Sequence, residues 1–135
     1  MIQLANDYRE SKDLSAVPMN KCLCKVANLH LEELAKNLTN KHNWVNCTYH
    51  LKGSDVDSDC MWNKPKEICG YKGKGFENYV WRKSGISGKT ALEKWKRSKN
   101  HNTVILNLGG WKKMKWTGIG AAIGENHALI WLGNE

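Results

Sequence analysis

From Asn20 to Leu38 the apolar residues Leu23, Val26, Ala27, Leu34 and Leu38 recur at three- and four-residue intervals, with His30 on the same stripe. Lys25, Glu32, Glu33 and Lys36 fall on the opposite side. That period predicts an amphipathic helix laid on a core. Pro18 and Asn20, just ahead of it, suit a helix entry. A shorter helix is predicted over Ile2 to Arg9, where Leu4, Ala5 and Tyr8 share a side, with Val17-Pro18 interrupting it. Residues 39–75 are polar, rich in Gly, Asp and Lys, and weakly periodic. They read as a long, irregular, cross-linked segment in which Trp62-Asn-Lys-Pro65 starts a turn or short helix.

Further along, Phe76 to Trp81 reads as extended, and Thr90-x-x-Glu93 as a capping box opening a helix through Ser98. Trp116 to Ile123 and Ala128 to Gly133 read as two strands joined by Gly124-Glu-Asn-His127. Helices first and an antiparallel pair last predict an α+β domain whose sheet is covered by helices. There is no internal repeat.

Composition narrows this picture. The 135 residues are 41% hydrophobic and include seven Trp, which predicts one domain over 1–135 with a true core and excludes disorder. No apolar run approaches the roughly 18 residues that a membrane helix needs. The first residues already look like a folding helix rather than a leader, so the chain reads either as cytosolic or as the mature form of a secreted or periplasmic protein with its leader removed, and the second is the expectation. The net charge of +8 comes from lysines spread along the chain, with clusters at Lys94-Trp-Lys-Arg97 and Trp111-Lys-Lys-Met-Lys-Trp116. Basic residues among Trp can track nucleic acid. A solvated basic surface over buried Trp is the simpler reading, and it would also attract anionic envelopes or glycans.

The five cysteines, Cys22, Cys24, Cys47, Cys60 and Cys69, match no common zinc spacing. Cys22 and Cys24 point to different sides of a helix and cannot jointly grip an ion. A Cys47–Cys60 bridge would close a loop of about 14 residues, worth roughly 3 kcal/mol, while Cys69 competes for either partner. The sequons Asn37-Leu-Thr39 and Asn46-Cys-Thr48 carry meaning only in a eukaryotic host.

The candidate chemistry lies at Trp95-x-x-Ser98-x-x-His101, whose spacing puts the three residues near one helical face ahead of the small-residue strand Gly118-Ile-Gly120. Ser98 and His101 are neighbours one turn apart, but no orienting acid or oxyanion hole accompanies them. His30 reads as a satisfied core histidine. Trp95, Trp116 and Trp131 read as core, and Gly118 and Gly120 as points of close helix–sheet packing.

Taken together, several short motifs resemble the CAP superfamily of cysteine-rich secretory proteins, venom allergens and plant pathogenesis-related proteins, most closely its bacterial SCP-like members. They are, in order, Val26-Ala27-Asn-Leu-His30, then His42, then Gly75-Phe-Glu77-Asn78. Trp95-x-x-Ser98-x-x-His101-Asn-x-x-Ile105-Leu106, Gly118-Ile-Gly120 and Ile130-Trp131 complete the series. Phe76 splits the Gly-Glu-Asn motif, and Ser98 stands where many eukaryotic members carry a second Glu.

The resemblance implies a three-layer α-β-α sandwich with a central antiparallel sheet. It also implies a cleft of His42, Glu77 and His101, with Ser98 beside them, that holds Zn²⁺ or another divalent metal in some members. It allows lipid, sterol, glycan or host-protein ligands. The leading expectation is a secreted binding or envelope-interaction module; the alternative is a metal-dependent hydrolase in which the same three side chains activate a water.

Overall fold

The strand His127–Asn134, here β3, carries the apolar run Ala128-Leu-Ile-Trp-Leu132 because it lies in the middle of a sheet covered on both faces. The computed structural model describes residues 1–36, 42–47 and 55–135, with backbone alone at 55–58. β1 (Lys74–Trp81) and β2 (Gly118–Ile123) flank β3, both antiparallel to it, in the order β1-β3-β2. The register pairs Glu77 with Trp131 and Asn78 with Ile130 on one side, and Gly120 with Trp131 on the other.

The strand period of two divides the core. Phe76, Ile119, Ile130 and Leu132 pack with α1 (Ile2–Glu10), α5 (Gly88–Arg97) and α6 (Lys99–Ile105), through Ala5, Leu92, Trp95 and Ile105. Tyr79, Ala122, Leu129 and Trp131 pack on the other face with Leu23, Val26, Ala27 and Leu34 of α2 (Lys21–Lys36). The result is the expected α+β, α-β-α sandwich. No helix among the described residues is long and apolar enough to cross a membrane.

α2 starts as its sequence predicts. Asn20 Oδ1 accepts a hydrogen bond from the Leu23 amide at 3.1 Å, satisfying a donor of the first turn. Its predicted end at Leu38 lies outside the described residues, as do the Asn37–Thr39 sequon and Thr48 of the second sequon. The helix sits close on the sheet because Gly120 leaves room: a Cβ there would lie 2.1 Å from the Leu23 carbonyl carbon and 2.3 Å from the Cys24 nitrogen. Both are backbone atoms of α2 and cannot swing aside. Gly120→Ala should therefore cost about 3 kcal/mol in urea unfolding. Gly110→Ala, where nothing lies within 4 Å, should be nearly neutral. Equal effects at the two positions would refute this account of the packing.

Three local expectations change. The segment read as irregular contains α3 (Asp55–Trp62), while α4 (Lys64–Cys69) is the short helix expected from Trp62-Asn-Lys-Pro65, with Pro65 in its first turn and Gly70 as a left-handed C-cap, φ 70°. α5 is capped by Ser87, whose Oγ accepts from the Thr90 amide at 3.1 Å; Thr90 is already helical, and Glu93 pairs with Lys96 instead. Ser98 is extended (φ −92°, ψ 114°), so α5 ends there and α6 begins. Trp95, Ser98 and His101 therefore do not share one helix.

The cysteine pairing is Cys22–Cys69 and Cys47–Cys60, leaving Cys24 as the free thiol. The first bridge joins α2 to the end of α4. The second joins the segment around Trp44 to α3.

Candidate functional site

Adjacent residues on a strand point to opposite faces, and β1 is an edge strand. Glu77 thus points to the α2 side and Asn78 to the α6 side. Each reaches a histidine-bearing wall. Phe76, which splits the sequence motif, faces the same way as Asn78 and packs into the α1/α5/α6 core.

On the α2 side, the Glu77 carboxylate is fully buried and held by two imidazoles. His30 Nδ1 contacts Oε2, and His42 Nδ1 bonds Oε1 at 2.8 Å. His30 Nε2 lies 3.1 Å from the Asn43 carbonyl. A carbonyl and a carboxylate only accept, so His30 meets both by carrying a proton on each nitrogen. Burial disfavours that charge, but the neighbouring Glu77 carboxylate outweighs it and raises the pKa of His30. Burial likewise pushes Glu77 up, and the charge and hydrogen bond of His30, then those of His42, overcome it and hold the carboxyl at about 2. The pair is an imidazolium and a carboxylate. Trp44 stacks flat on His30 at 4.6 Å, offering the ring face that favours a cation, and Trp131 packs against it edge-on at 6.4 Å.

On the α6 side, Asn78 Nδ2 donates to the His101 carbonyl at 3.0 Å, tying the first turn of α6 to β1. His101 Nδ1 lies 2.7 Å from Ser98 Oγ. That bond explains why Ser98, although it starts α6, makes no side-chain cap to the helix. Burial lowers the pKa of His101, and the nearby His42 lowers it further. Beyond this pair, Tyr79 Oη lies 2.8 Å from His127 Nδ1 and its ring meets His42 edge-on at 5.9 Å. Burial first, then the Glu77 charge, push the Tyr79 phenol up.

Between the walls runs a cleft of about 260 Å³ over β1. His42, Glu77, Asn78 and His101 line its polar part, and Trp62, Phe76 and Trp111 its aromatic part. All three residues singled out from the sequence are on its wall. Ser98 stands behind His101, not in the lining.

A model of the CAP, cysteine-rich secretory protein, family matches residues 2–134. This chain is a CAP domain. Solved structures agree in fold. An extracellular protein containing an SCP domain from Bacillus anthracis superposes with a TM-score of 0.72 at 20% identity, over 99% of this chain and 39% of its own. An outer surface protein from Borrelia burgdorferi gives 0.70 at 16% identity, over 99% and 89%. A cysteine-rich secretory protein from Staphylococcus aureus gives 0.66 at 16%, over 99% and 37%. The domain thus spans less than two-fifths of the Staphylococcus and Bacillus proteins. A search of the curated proteins found no match.

Two features of this CAP cleft were missed in the sequence. His30 was placed in the core, and it is there, fully buried, but it also holds one oxygen of the cleft carboxylate. Its position on the apolar stripe of α2, within a motif of the family, was the available signal. Asn78 directly follows Glu77, and strand alternation alone would have sent it to the opposite wall. His50, the other histidine of the segment that holds His42, lies outside the described residues.

Whether the cleft suits a divalent metal turns on the donors left. Both Glu77 oxygens are engaged by imidazoles, and among the described residues no group of three His, Cys, Asp or Glu side chains is placed to hold a metal. Nδ1 of His42 lies on a carboxylate and Nδ1 of His101 on a hydroxyl, so Glu77 orients the first ring and Ser98 the second.

Proposed function

We propose that this CAP domain is a binding module of extracellular type, with its ligand seated in the cleft between His42 and His101. The supporting observation is the clamped carboxylate: Glu77 fixes the ring of His42 while its neighbour Asn78 fixes the backbone of His101. One strand therefore presets both walls before any ligand arrives. A divalent metal would sit on the two imidazoles and offer its remaining positions to an oxygen-bearing ligand, whose apolar part would rest on Trp62 and Trp111. The disulfides, and the extracellular or surface character of the similar bacterial proteins, support an oxidising setting outside the cytoplasm.

The state of Glu77 favours binding over metal-dependent hydrolysis. A general base needs an oxygen within reach of the proton it takes and a pKa near the working pH. Glu77 has both oxygens occupied and is held at about 2.

Calorimetric titration of Zn²⁺ into the metal-free protein near neutral pH tests the reading. One-to-one binding is expected, weakened by His101→Ala without loss of folding. If Zn²⁺ binds neither protein, and His101→Ala only lowers the melting temperature, the histidines brace the fold and the metal reading fails.

A further inference from the structure

A second cavity, among the described residues, lies away from the cleft and shares no lining residue with it. It measures about 1000 Å³ and opens between the loop 14–18 and the segment 106–117. We propose that this cavity binds a small organic anion with an apolar body, its charged group directed at Arg9.

Three observations converge on that ligand chemistry. The first is the state of Arg9, which is 6% exposed. Its Nε donates to the Ser15 carbonyl at 3.0 Å, and its Nη1 to the Ile105 carbonyl at 2.5 Å and to Asn107 Oδ1 at 2.7 Å. All three acceptors are neutral. Among the described residues no carboxylate meets the guanidinium and nothing accepts from Nη2. A buried cation without a counter-charge is costly, and an anion in the cavity would relieve it.

The second observation is the sign of the lining. The charged side chains that face the cavity are Arg9, Lys112 and Lys115, with no acid among them. Glu10 and Asp13, near Arg9 in sequence, are exposed and outside it. The lysines of the basic run Trp111 to Trp116, which do not line the cleft, thus have a place: Lys112 and Lys115 stand at this mouth.

The third is the remainder of the wall. Leu14, Pro18, Leu106, Leu108, Met114 and Trp116 supply an apolar surface suited to aliphatic or fused-ring carbon. Leu108 is 46% exposed at the rim. A plain inorganic anion would leave this surface unused, and a neutral apolar molecule would leave the cations unpaired. An apolar carboxylate satisfies both.

The probe is naphthoate, titrated calorimetrically against the uncharged naphthylmethanol. Naphthoate should bind one-to-one and at least about tenfold more tightly than the alcohol. The exposed pair Lys112→Ala/Lys115→Ala should weaken naphthoate about fivefold and leave the alcohol unchanged. Arg9→Met should abolish the preference for the anion. Because Arg9 also pins the Ile105 carbonyl, the lysine pair carries the test if R9M does not fold. His101→Ala should leave naphthoate affinity as it was, which separates this site from the cleft.

Equal affinity for acid and alcohol, or indifference to the lysine pair, overturns the proposal. So does loss of naphthoate in His101→Ala, which would place the probe in the cleft. Binding to phosphatidylglycerol vesicles with none to soluble naphthoate would overturn it in favour of a membrane-contact surface.

Discussion

Glu77→Ala is expected to lower stability by about 3–5 kcal/mol, the usual cost of deleting one member of a buried ion pair. The His30 imidazolium would be left between Trp44 and Trp131 with no carboxylate, and would have to shed its proton or its place. The pH dependence gives a second readout. Glu77 is depressed from 4.5 to about 2, so its contribution is complete above 4.5 and is lost as pH falls toward 2. His30 is raised from 6.5, so its contribution is complete below 6.5 and is lost as pH rises through its higher folded value. Wild type should therefore be most stable between those limits and decline on both sides. Urea unfolding between roughly pH 3 and 9 checks this. Glu77→Ala should flatten both slopes, and a mutant profile parallel to wild type would mean that the pair is not the titrating element.

Removing the Cys22–Cys69 bridge with Cys22→Ala/Cys69→Ala should cost about 4 kcal/mol. The bridge spans 47 residues, so it restrains far more of the unfolded chain than Cys47–Cys60, which spans 13. For a chain of this size the melting temperature should fall by about 15 °C. Removing Cys47–Cys60 should cost about 3 kcal/mol on the same reasoning. Calorimetric melts of the two variants decide the order; a larger loss at the shorter bridge would show that chain entropy is not what these bridges supply.

Much of the fold was legible because its strongest periodicities serve burial. The α2 stripe and the unbroken apolar run of β3 each report what covers them. α3 was hidden because Asp55-Val-Asp-Ser-Asp-Cys-Met-Trp62 has no amphipathic period; Met61 is buried in the α2-side core and Cys60 is bridged to Cys47. The break at Ser98 was hidden for the opposite reason. Three-residue spacing looked like one continuous helix, although Ser98 is extended and its hydroxyl serves His101 instead. In the cleft, His42, Glu77 and His101 were legible through the family resemblance. The ion pair with His30 was not, since a histidine on an apolar stripe reads the same whether it faces carbon or a buried acid two elements away.

The covalent restraints are unevenly shared. All four bridged cysteines belong to α2, α3, α4 and the segment around Trp44, and neither bridge touches α1, α5 or α6. His42 therefore stands on an anchored jaw, whereas His101 rides on one held by packing and by hydrogen bonds from Asn78, Tyr8, Arg9 and Trp116. The two walls of the cleft thus differ in kind: one is stapled covalently, and the other is held by packing and hydrogen bonds alone.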